Sequence, residues 1–83
     1  MSKIIIYSKE VCPYCVRAKN LLDRKGAKYT EIKITDEKTK DEMMKKSGGR
    51  MTVPQIFIDE KHIGGFDDLN ALDKKGELDK LLK

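Results

Sequence analysis

Two cysteines three positions apart are the residues with the clearest potential for chemistry. Cys12 and Cys15 stand in the stretch KEVCPYCVRAK (9–19), with Pro13 and Tyr14 between them, and the chain contains no other cysteine. Such a pair can be half of a metal site, a structural disulfide, or a redox couple that opens and closes. The choice depends on the elements that position the two thiols.

The surrounding sequence favours the redox couple. A structural zinc site usually takes four ligands from two such pairs. This chain offers one pair and a single histidine, His62, which we expect to be a surface residue of an edge strand. A disulfide across so short a gap would constrain the unfolded chain very little. We therefore expect no bound metal and no permanently bound cofactor.

Composition and charge narrow the class of protein. The 83 residues carry 18 Lys and Arg against 14 Asp and Glu, with the two signs interleaved as on a solvated surface. Few and scattered aromatic residues argue against nucleic-acid binding. The apolar run near the N-terminus is too short for a signal-peptide core or a membrane span. We expect a single domain over residues 1–83, monomeric, cytoplasmic and without membrane contact, and in that compartment a close cysteine pair is rarely a permanent crosslink.

Hydrophobic patterning predicts four strands. KIIIYS (3–8) and QIFID (55–59) read as apolar on both faces and are predicted to be central strands. YTEIKI (29–34) alternates and carries charges that suit an edge. KHIGG (61–65) is short and ends in glycines, so we expect it at the other edge, with a tight turn at 59–61 before it.

Three helices and a final helical turn are predicted between and after these strands. They run from about Pro13 to Lys25, from about Asp36 to Lys46, from just after Gly65, and after Gly76. The first strand–helix–strand unit must form a right-handed parallel crossover. The sheet order is then second, first, third, fourth, with an antiparallel final hairpin and helices over both faces. This is an α/β fold with a mixed four-stranded sheet.

This arrangement makes the two cysteines unequal. Cys12 is predicted near the N-cap of the first helix, where unpaired N–H groups and the helix dipole favour a thiolate. Lys9 and Arg17 add positive potential nearby. Cys15 lies one turn further on, on the same face as Ala18, and is predicted to be buried.

Three motifs together give the chain a recognisable pattern. CPYC (12–15), TVPQIFI (52–58) and GGFDDL (64–69) occur in this order across essentially the whole chain. In this pattern the sequence resembles dithiol glutaredoxins, close to the short bacterial members, which have a thioredoxin-like fold. The resemblance implies a glutathione-dependent thiol–disulfide oxidoreductase that reduces protein–glutathione mixed disulfides and protein disulfides. Cys12 would be the nucleophile, Cys15 the resolving thiol, and glutathione the co-substrate.

The resemblance also implies where glutathione binds. Val53, preceding a cis-Pro54, would hydrogen-bond the backbone of the glutathione cysteine as one rung of an antiparallel strand. Backbone N–H groups of Phe66 and Asp67 would hold the γ-glutamyl carboxylate at a helix N-terminus, and Lys9 would meet the glycyl carboxylate. The full implied set is Lys9, Tyr14, Thr52, Val53, Pro54, Gly65, Phe66 and Asp67.

Some readings stay open at this point. Asp67 and Asp68 are also good helix-capping residues, and Arg50 is a weaker candidate because an exposed loop arginine is usually only solvated. Two other activities remain: a glutaredoxin-like redoxin reduced by thioredoxin reductase, and an iron–sulfur cluster carrier. Redoxins of the first kind generally lack the charged glutathione contacts, and Pro13 counts against the second because cluster-binding members usually have a smaller residue there.

Overall fold

Four strands and four helices make up residues 3–82, the part of the chain that the computed structural model describes. In chain order they are β1 (Ile4–Ser8), α1 (Pro13–Arg24), β2 (Thr30–Lys33), α2 (Glu37–Lys46), β3 (Gln55–Ile58), β4 (Lys61–Gly64), α3 (Phe66–Lys74) and α4 (Glu77–Leu81). Each element expected from the sequence is present, and its bounds agree to about one residue. No helix in this range is long and apolar enough to cross a membrane.

The sheet has the predicted order, β2-β1-β3-β4. β1 pairs with β2 in parallel, so that Tyr7 lies opposite Ile32. β1 pairs with β3 and β3 with β4 in antiparallel fashion. The mixed α/β topology is therefore confirmed, and α1 is the crossover that the parallel pair requires.

The side chains pack into one cluster on each face of the sheet. The larger cluster joins the sheet to α1, α3 and α4, and its buried members are Ile4, Ile6, Ala18, Leu21, Leu22, Ile56, Ile58, Leu69 and Leu78. On the opposite face, Met43 of α2 packs with Tyr7 and Phe57, whose rings meet edge to face. Helices therefore cover both faces, as predicted, and Met43 is core filler.

Two residues at the ends of the last hairpin differ from expectation. Asp59 was expected in β3, but it takes φ 51° and Glu60 takes φ 69°, the pair of left-handed residues of a tight hairpin turn. Gly65 was expected in β4, but its carbonyl accepts a hydrogen bond from the N–H of Leu69 (3.0 Å), so it is the N-cap of α3. Both strands end one residue earlier because these residues serve the next turn or helix.

Three segments that are distant in the chain meet at one end of the sheet, where β1 ends and β3 begins. The C-terminal end of β1 leads directly into the cysteine pair, and Tyr7 there pairs with Gln55 at the start of β3. Gly64 at the end of β4 pairs with Ile56 at the same end of the sheet. The loop at 52–54 and the start of α3 therefore lie beside the cysteines.

Candidate active site

Cys12 caps the N-terminus of α1. Its backbone is extended (φ −153°), and its carbonyl accepts the first helical bond from the N–H of Val16 at 3.1 Å. The N–H of Cys15 donates to the Cys12 sulfur at 3.2 Å. This is the place that an N-cap oxygen usually takes, so the helix offers the sulfur a donor and its positive end. Pro13 fits the first helical position because its missing N–H would have no partner there.

The two cysteines differ in access, as the helical phase predicted. Cys15 is 1% exposed and packs on the face of α1 that also buries Ala18 and Leu22. Cys12 is only partly buried. Their sulfurs are joined as a disulfide, and their Cα atoms are 5.2 Å apart, within the range of about 4.4–6.8 Å that a disulfide spans. The helix tip therefore presents one sulfur outward and keeps the other inside.

The loop before β3 faces the cysteine helix. The peptide bond between Val53 and Pro54 is cis, which confirms that expectation. The Cys12 sulfur lies 3.8 Å from the Val53 carbonyl oxygen. A chain laid along the backbone of Val53 would therefore pass directly beside the outer sulfur.

A groove of about 280 Å³ opens at this point. We call it the Val53 groove, and its lining residues are Tyr14, Arg50, Thr52, Val53, Pro54, Gly65, Phe66, Asp67 and Asp68. Seven of the eight residues assigned to glutathione binding from the sequence are among them. Lys9 is not among them, because it is an exposed residue between β1 and Cys12. The glutathione-binding role of all eight residues stays a prediction.

One end of the Val53 groove is the N-terminus of α3. Asp68 closes a capping box there, because its carboxylate accepts a hydrogen bond from the N–H of Gly65 at 3.0 Å. A Cβ on Gly65 would stand 3.4 Å from the Pro54 carbonyl oxygen, so the two backbones approach closely. Among residues 3–82, the Asp67 carboxylate has no hydrogen bond or ion pair. Asp68 therefore takes the capping role that the sequence left open between the two aspartates, and the ligand-binding role of Asp67 stays a prediction.

Two aromatic rings form the side of the Val53 groove nearest α1. Tyr14 is 53% exposed, and its ring centroid lies 6.4 Å from that of Phe66. The Arg17 guanidinium carbon lies over the Tyr14 ring, 5.4 Å from its centroid, within the range of a cation–π contact. Arg17, chosen from the sequence for its charge, therefore also supports the Tyr14 ring.

Arg50 is better placed than its position in a loop suggested. Its guanidinium lies 3.7 Å from the Asp68 carboxylate, and both side chains are about half exposed. It lines the Val53 groove and brings a positive charge close to the start of α3. No pattern in the sequence distinguishes this arginine from one that is only solvated.

A buried polar network behind the loop was missed at the sequence level. Gln55, in a run that we read as apolar, is fully buried and bonds Thr52 and His62 through its side-chain amide. His62 is half buried, not a free surface residue. Burial and the nearby Arg50 charge lower its pKa, partly opposed by Asp68. A glutamine at the start of a central strand was the available signal.

A second network ties α1 to the sheet. Glu31 of β2 accepts a hydrogen bond from the buried Ser8 hydroxyl at 2.6 Å and pairs with Lys19 of α1 at 2.9 Å. The Ser8 hydroxyl and the Lys19 ammonium hold the pKa of the Glu31 carboxyl below its usual value. Glu31 was expected to be a solvated edge charge, but it anchors the helix that carries both cysteines.

Comparison with known proteins assigns the fold and site to a family. A family model described as Glutaredoxin matches residues 4–63. The chain belongs to the glutaredoxin family. Thiol–disulfide oxidoreductase activity follows from that membership, and the disulfide at the tip of α1 is the redox-active pair.

Individual relatives match this glutaredoxin over all or nearly all of its length. Glutaredoxin 3 of Escherichia coli strain K12 is 58% identical over 83 residues, 100% of both chains. The solution structure of glutaredoxin from Brucella melitensis has a TM-score of 0.85 and 52% identity, and the match covers 98% of this chain and 88% of that one. A buckwheat glutaredoxin–glutathione complex has a TM-score of 0.88 at 33% identity, covering 98% and 76%. These matches confirm the thioredoxin-like fold.

Proposed function

We propose that this glutaredoxin uses glutathione to reduce protein–glutathione mixed disulfides and protein disulfides. The observation that carries the proposal is the Cys12 sulfur, 3.8 Å from the Val53 carbonyl oxygen at the edge of the Val53 groove. A tripeptide with a central cysteine, laid along the backbone of Val53, would bring its own sulfur to Cys12. The buckwheat relative of the same fold is described as a complex with glutathione, which supports the choice of ligand.

The charges of glutathione match the ends of the groove. Its γ-glutamyl carboxylate would bind backbone N–H groups of Phe66 and Asp67, where the start of α3 favours negative charge. The Asp67 carboxylate, which has no partner among the described residues, would receive the γ-glutamyl amine. Lys9 would meet the glycyl carboxylate at the other end, while Tyr14 flanks the sulfur.

Thiol–disulfide exchange then proceeds in two steps. The Cys12 thiolate attacks the glutathionyl sulfur of the mixed disulfide; the new bond joins Cys12 to glutathione, and the substrate protein leaves as a thiolate that takes a proton from water. A glutathione thiolate next attacks the Cys12 adduct, which forms oxidised glutathione and regenerates the Cys12 thiolate. The donor at the helix tip stabilises this thiolate, both as nucleophile and as leaving group.

Protein disulfides take a different second step. Cys12 attacks one substrate sulfur, and the resulting mixed disulfide joins the two proteins. Cys15, one helical turn away and shielded from solvent, displaces the substrate and closes the Cys12–Cys15 disulfide, which two glutathione molecules then reduce. The inward position of Cys15 suits a thiol that reacts only with its neighbour.

A pair of coupled assays tests the proposal. One supplies glutathione, glutathione reductase and a glutathionylated peptide; the other supplies thioredoxin reductase in place of both glutathione components. We expect turnover in the first and little in the second. Turnover with thioredoxin reductase alone would overturn the proposal in favour of a redoxin.

Further expectations belong to the same proposal. We take the protein to work as a cytoplasmic monomer, with residues 1–83 as one domain and no permanently bound cofactor. Size-exclusion chromatography of the reduced protein tests the monomer. A visible absorption spectrum of protein purified without oxygen tests the cluster-carrier alternative, which predicts a coloured protein with the visible absorption of a thiolate-ligated iron–sulfur cluster.

A further inference from the structure

The Gln55 side chain is a buried polar group whose amide nitrogen and amide oxygen both have hydrogen-bond partners. It is 0% exposed. Its amide nitrogen lies 2.9 Å from the Thr52 carbonyl oxygen and 3.2 Å from the Thr52 hydroxyl. Its amide oxygen lies 2.7 Å from Nε2 of His62. Burying an amide is unfavourable unless it is bonded, so this network has to form as a unit.

The chemistry of the partners fixes the direction of each bond. A carbonyl oxygen can only accept, so the Gln55 nitrogen must face Thr52, and the Gln55 oxygen must face the histidine. His62 therefore donates from Nε2, and in its neutral form the proton is on Nε2 rather than Nδ1. The order of donation runs from His62 to Gln55 to Thr52.

The histidine at the far end is itself held in place. His62 lies opposite Phe57 in the β3–β4 register, and the two ring centroids are 5.1 Å apart. The ring is half buried on an edge strand. Its orientation is thus set by the sheet, which makes it a rigid support for the Gln55 amide.

The near end of the network is the wall of the Val53 groove. Thr52 immediately precedes Val53, whose carbonyl oxygen is 3.8 Å from the Cys12 sulfur. Residues 50–54 form no helix or strand, so no ladder of backbone bonds holds them. The Gln55 amide, bonded to both the carbonyl and the hydroxyl of Thr52, connects this loop to the sheet.

We propose that Gln55, supported by His62, is a positioning residue that fixes the Thr52–Pro54 loop at the distance from Cys12 that glutathione needs. The inference rests on the proposed function. Neither side chain lines the Val53 groove, so neither touches the ligand. Loss of the network lets the Val53 backbone move relative to Cys12, which weakens binding of the glutathionyl group more than it slows sulfur exchange.

The kinetic test compares variants that keep or lose a hydrogen-bonding group at each position. Gln55→Met keeps an unbranched side chain of similar length and removes both sets of bonds. His62→Leu removes the donor, whereas His62→Gln retains an amide N–H that can still reach Gln55. We expect the KM for a glutathionylated peptide to rise about five- to twentyfold in Gln55→Met and His62→Leu, the loss of one or two hydrogen bonds. The kcat should stay within about twofold, and His62→Gln should retain a KM close to wild type.

A spectroscopic test is independent of activity. His62 is the only histidine of the chain, so its ring nitrogens can be assigned without ambiguity by nitrogen-15 NMR. Above the histidine pKa we expect the wild-type ring to carry its proton on Nε2, and Gln55→Met to lose that single preference. A ring protonated on Nδ1 in the wild type would overturn the inference.

The kinetic outcomes separate the inference from the proposed function. Wild-type turnover with glutathione, together with an unchanged KM in folded Gln55→Met and His62→Leu, overturns the inference alone. An equal rise in KM in His62→Leu and His62→Gln also overturns it, because the donor would then not matter. Absence of glutathione-dependent turnover in the wild type instead overturns the proposed function. If Gln55→Met fails to fold, the two His62 variants and the wild-type NMR spectrum still test whether the network positions the loop.

Discussion

The sulfur of Cys12 lies 3.8 Å from the carbonyl oxygen of Val53, although the two residues are 41 positions apart in the chain. The contact arises because β1 and β3 are antiparallel neighbours. The segment that follows β1 and the loop that precedes β3 therefore lie at the same end of the sheet. The topology of the sheet therefore places the accessible sulfur beside the backbone of the loop at 52–54.

The unequal surroundings of the two cysteines predict unequal effects of their removal. Cys12→Ser should lose activity on every substrate, because it removes the only sulfur that is both accessible and at the helix tip. Cys15→Ser should keep a deglutathionylation rate within about threefold of the wild-type rate, since free glutathione can resolve the Cys12 adduct. It should lose efficient reduction of protein disulfides. Both variants are measured in the same glutathione-coupled assay.

Mass spectrometry supplies the control for this comparison. Cys15→Ser treated with oxidised glutathione should carry one glutathione, attached to Cys12. Equal loss of deglutathionylation in both variants would contradict the two-step route, because resolution by Cys15 would then be obligatory.

Two adjacent aspartates form a second matched pair. Asp67→Ala should raise the KM for a glutathionylated peptide about three- to tenfold, because an exposed carboxylate at the groove would no longer pair with the γ-glutamyl amine. Asp68→Ala should instead lower the free energy of unfolding by about 0.5–1.5 kcal/mol, since it removes the bond to the Gly65 N–H. Steady-state kinetics and urea unfolding are measured for both variants. A loss of stability without a change in KM in Asp67→Ala would show that Asp67 does not bind glutathione.

The fold could be predicted almost entirely from the sequence, because local signals and one topological rule point the same way. Apolar runs identified the central strands, Pro13 and Gly26 bracket the first helix, and a right-handed crossover leaves one sheet order. The errors were single residues at the ends of elements, such as Tyr29 and Ile34 beside β2, and Asp59 and Gly65 after the last two strands. There the next turn or helix decides the boundary, and patterning within a strand does not reveal it.

The site was only partly predictable. The motifs identified residues that line the Val53 groove, since residues of those types have a chemical reason to stand beside a reactive sulfur. Gln55 and His62 were missed because their importance lies in a contact between side chains seven positions apart on neighbouring strands. Arg50 gained its significance from Asp68, eighteen positions away. Such pairings become visible only once the strands are in register.

Gly64 is predicted to tolerate no side chain. It adopts φ 119°, and a Cβ there would overlap the Asp68 carboxylate that caps α3. Gly64→Ala should lower the free energy of unfolding by about 2–4 kcal/mol, from backbone strain together with a lost cap. Gly76→Ala is the control, because φ is 76° but nothing lies within 4 Å of the added atom, and it should cost about 1–2 kcal/mol. Equal costs in urea unfolding would contradict the clash with Asp68.

His62 should make stability depend on pH in a range where few other groups titrate. Burial lowers its pKa from the ordinary 6.5, and the charge of Arg50 lowers it further. As the pH falls, His62 therefore takes up a proton in the unfolded chain before it does so in the folded protein. The stabilisation is complete above about pH 6.5 and is lost as the pH falls through the folded-state pKa. Urea unfolding from pH 7.5 to 5 should show this decline in wild type. In His62→Gln the decline should be reduced, and identical slopes would show that His62 does not cause it.

Lys9 provides the last test, because it is the one assigned binding residue that does not line the Val53 groove. It is exposed on the segment leading from β1 to Cys12, where a long, flexible side chain can reach an anionic ligand. Lys9→Glu should raise the KM for a glutathionylated peptide about five- to tenfold at low salt, and less at 0.5 M salt (roughly a 4 Å Debye length) because screening weakens the contact. Lys28→Glu makes the same change in net charge just before β2, at the opposite end of the sheet, and should leave the KM within about twofold. Equal rises in the two variants would mean that net charge alone matters and that Lys9 makes no direct contact with glutathione.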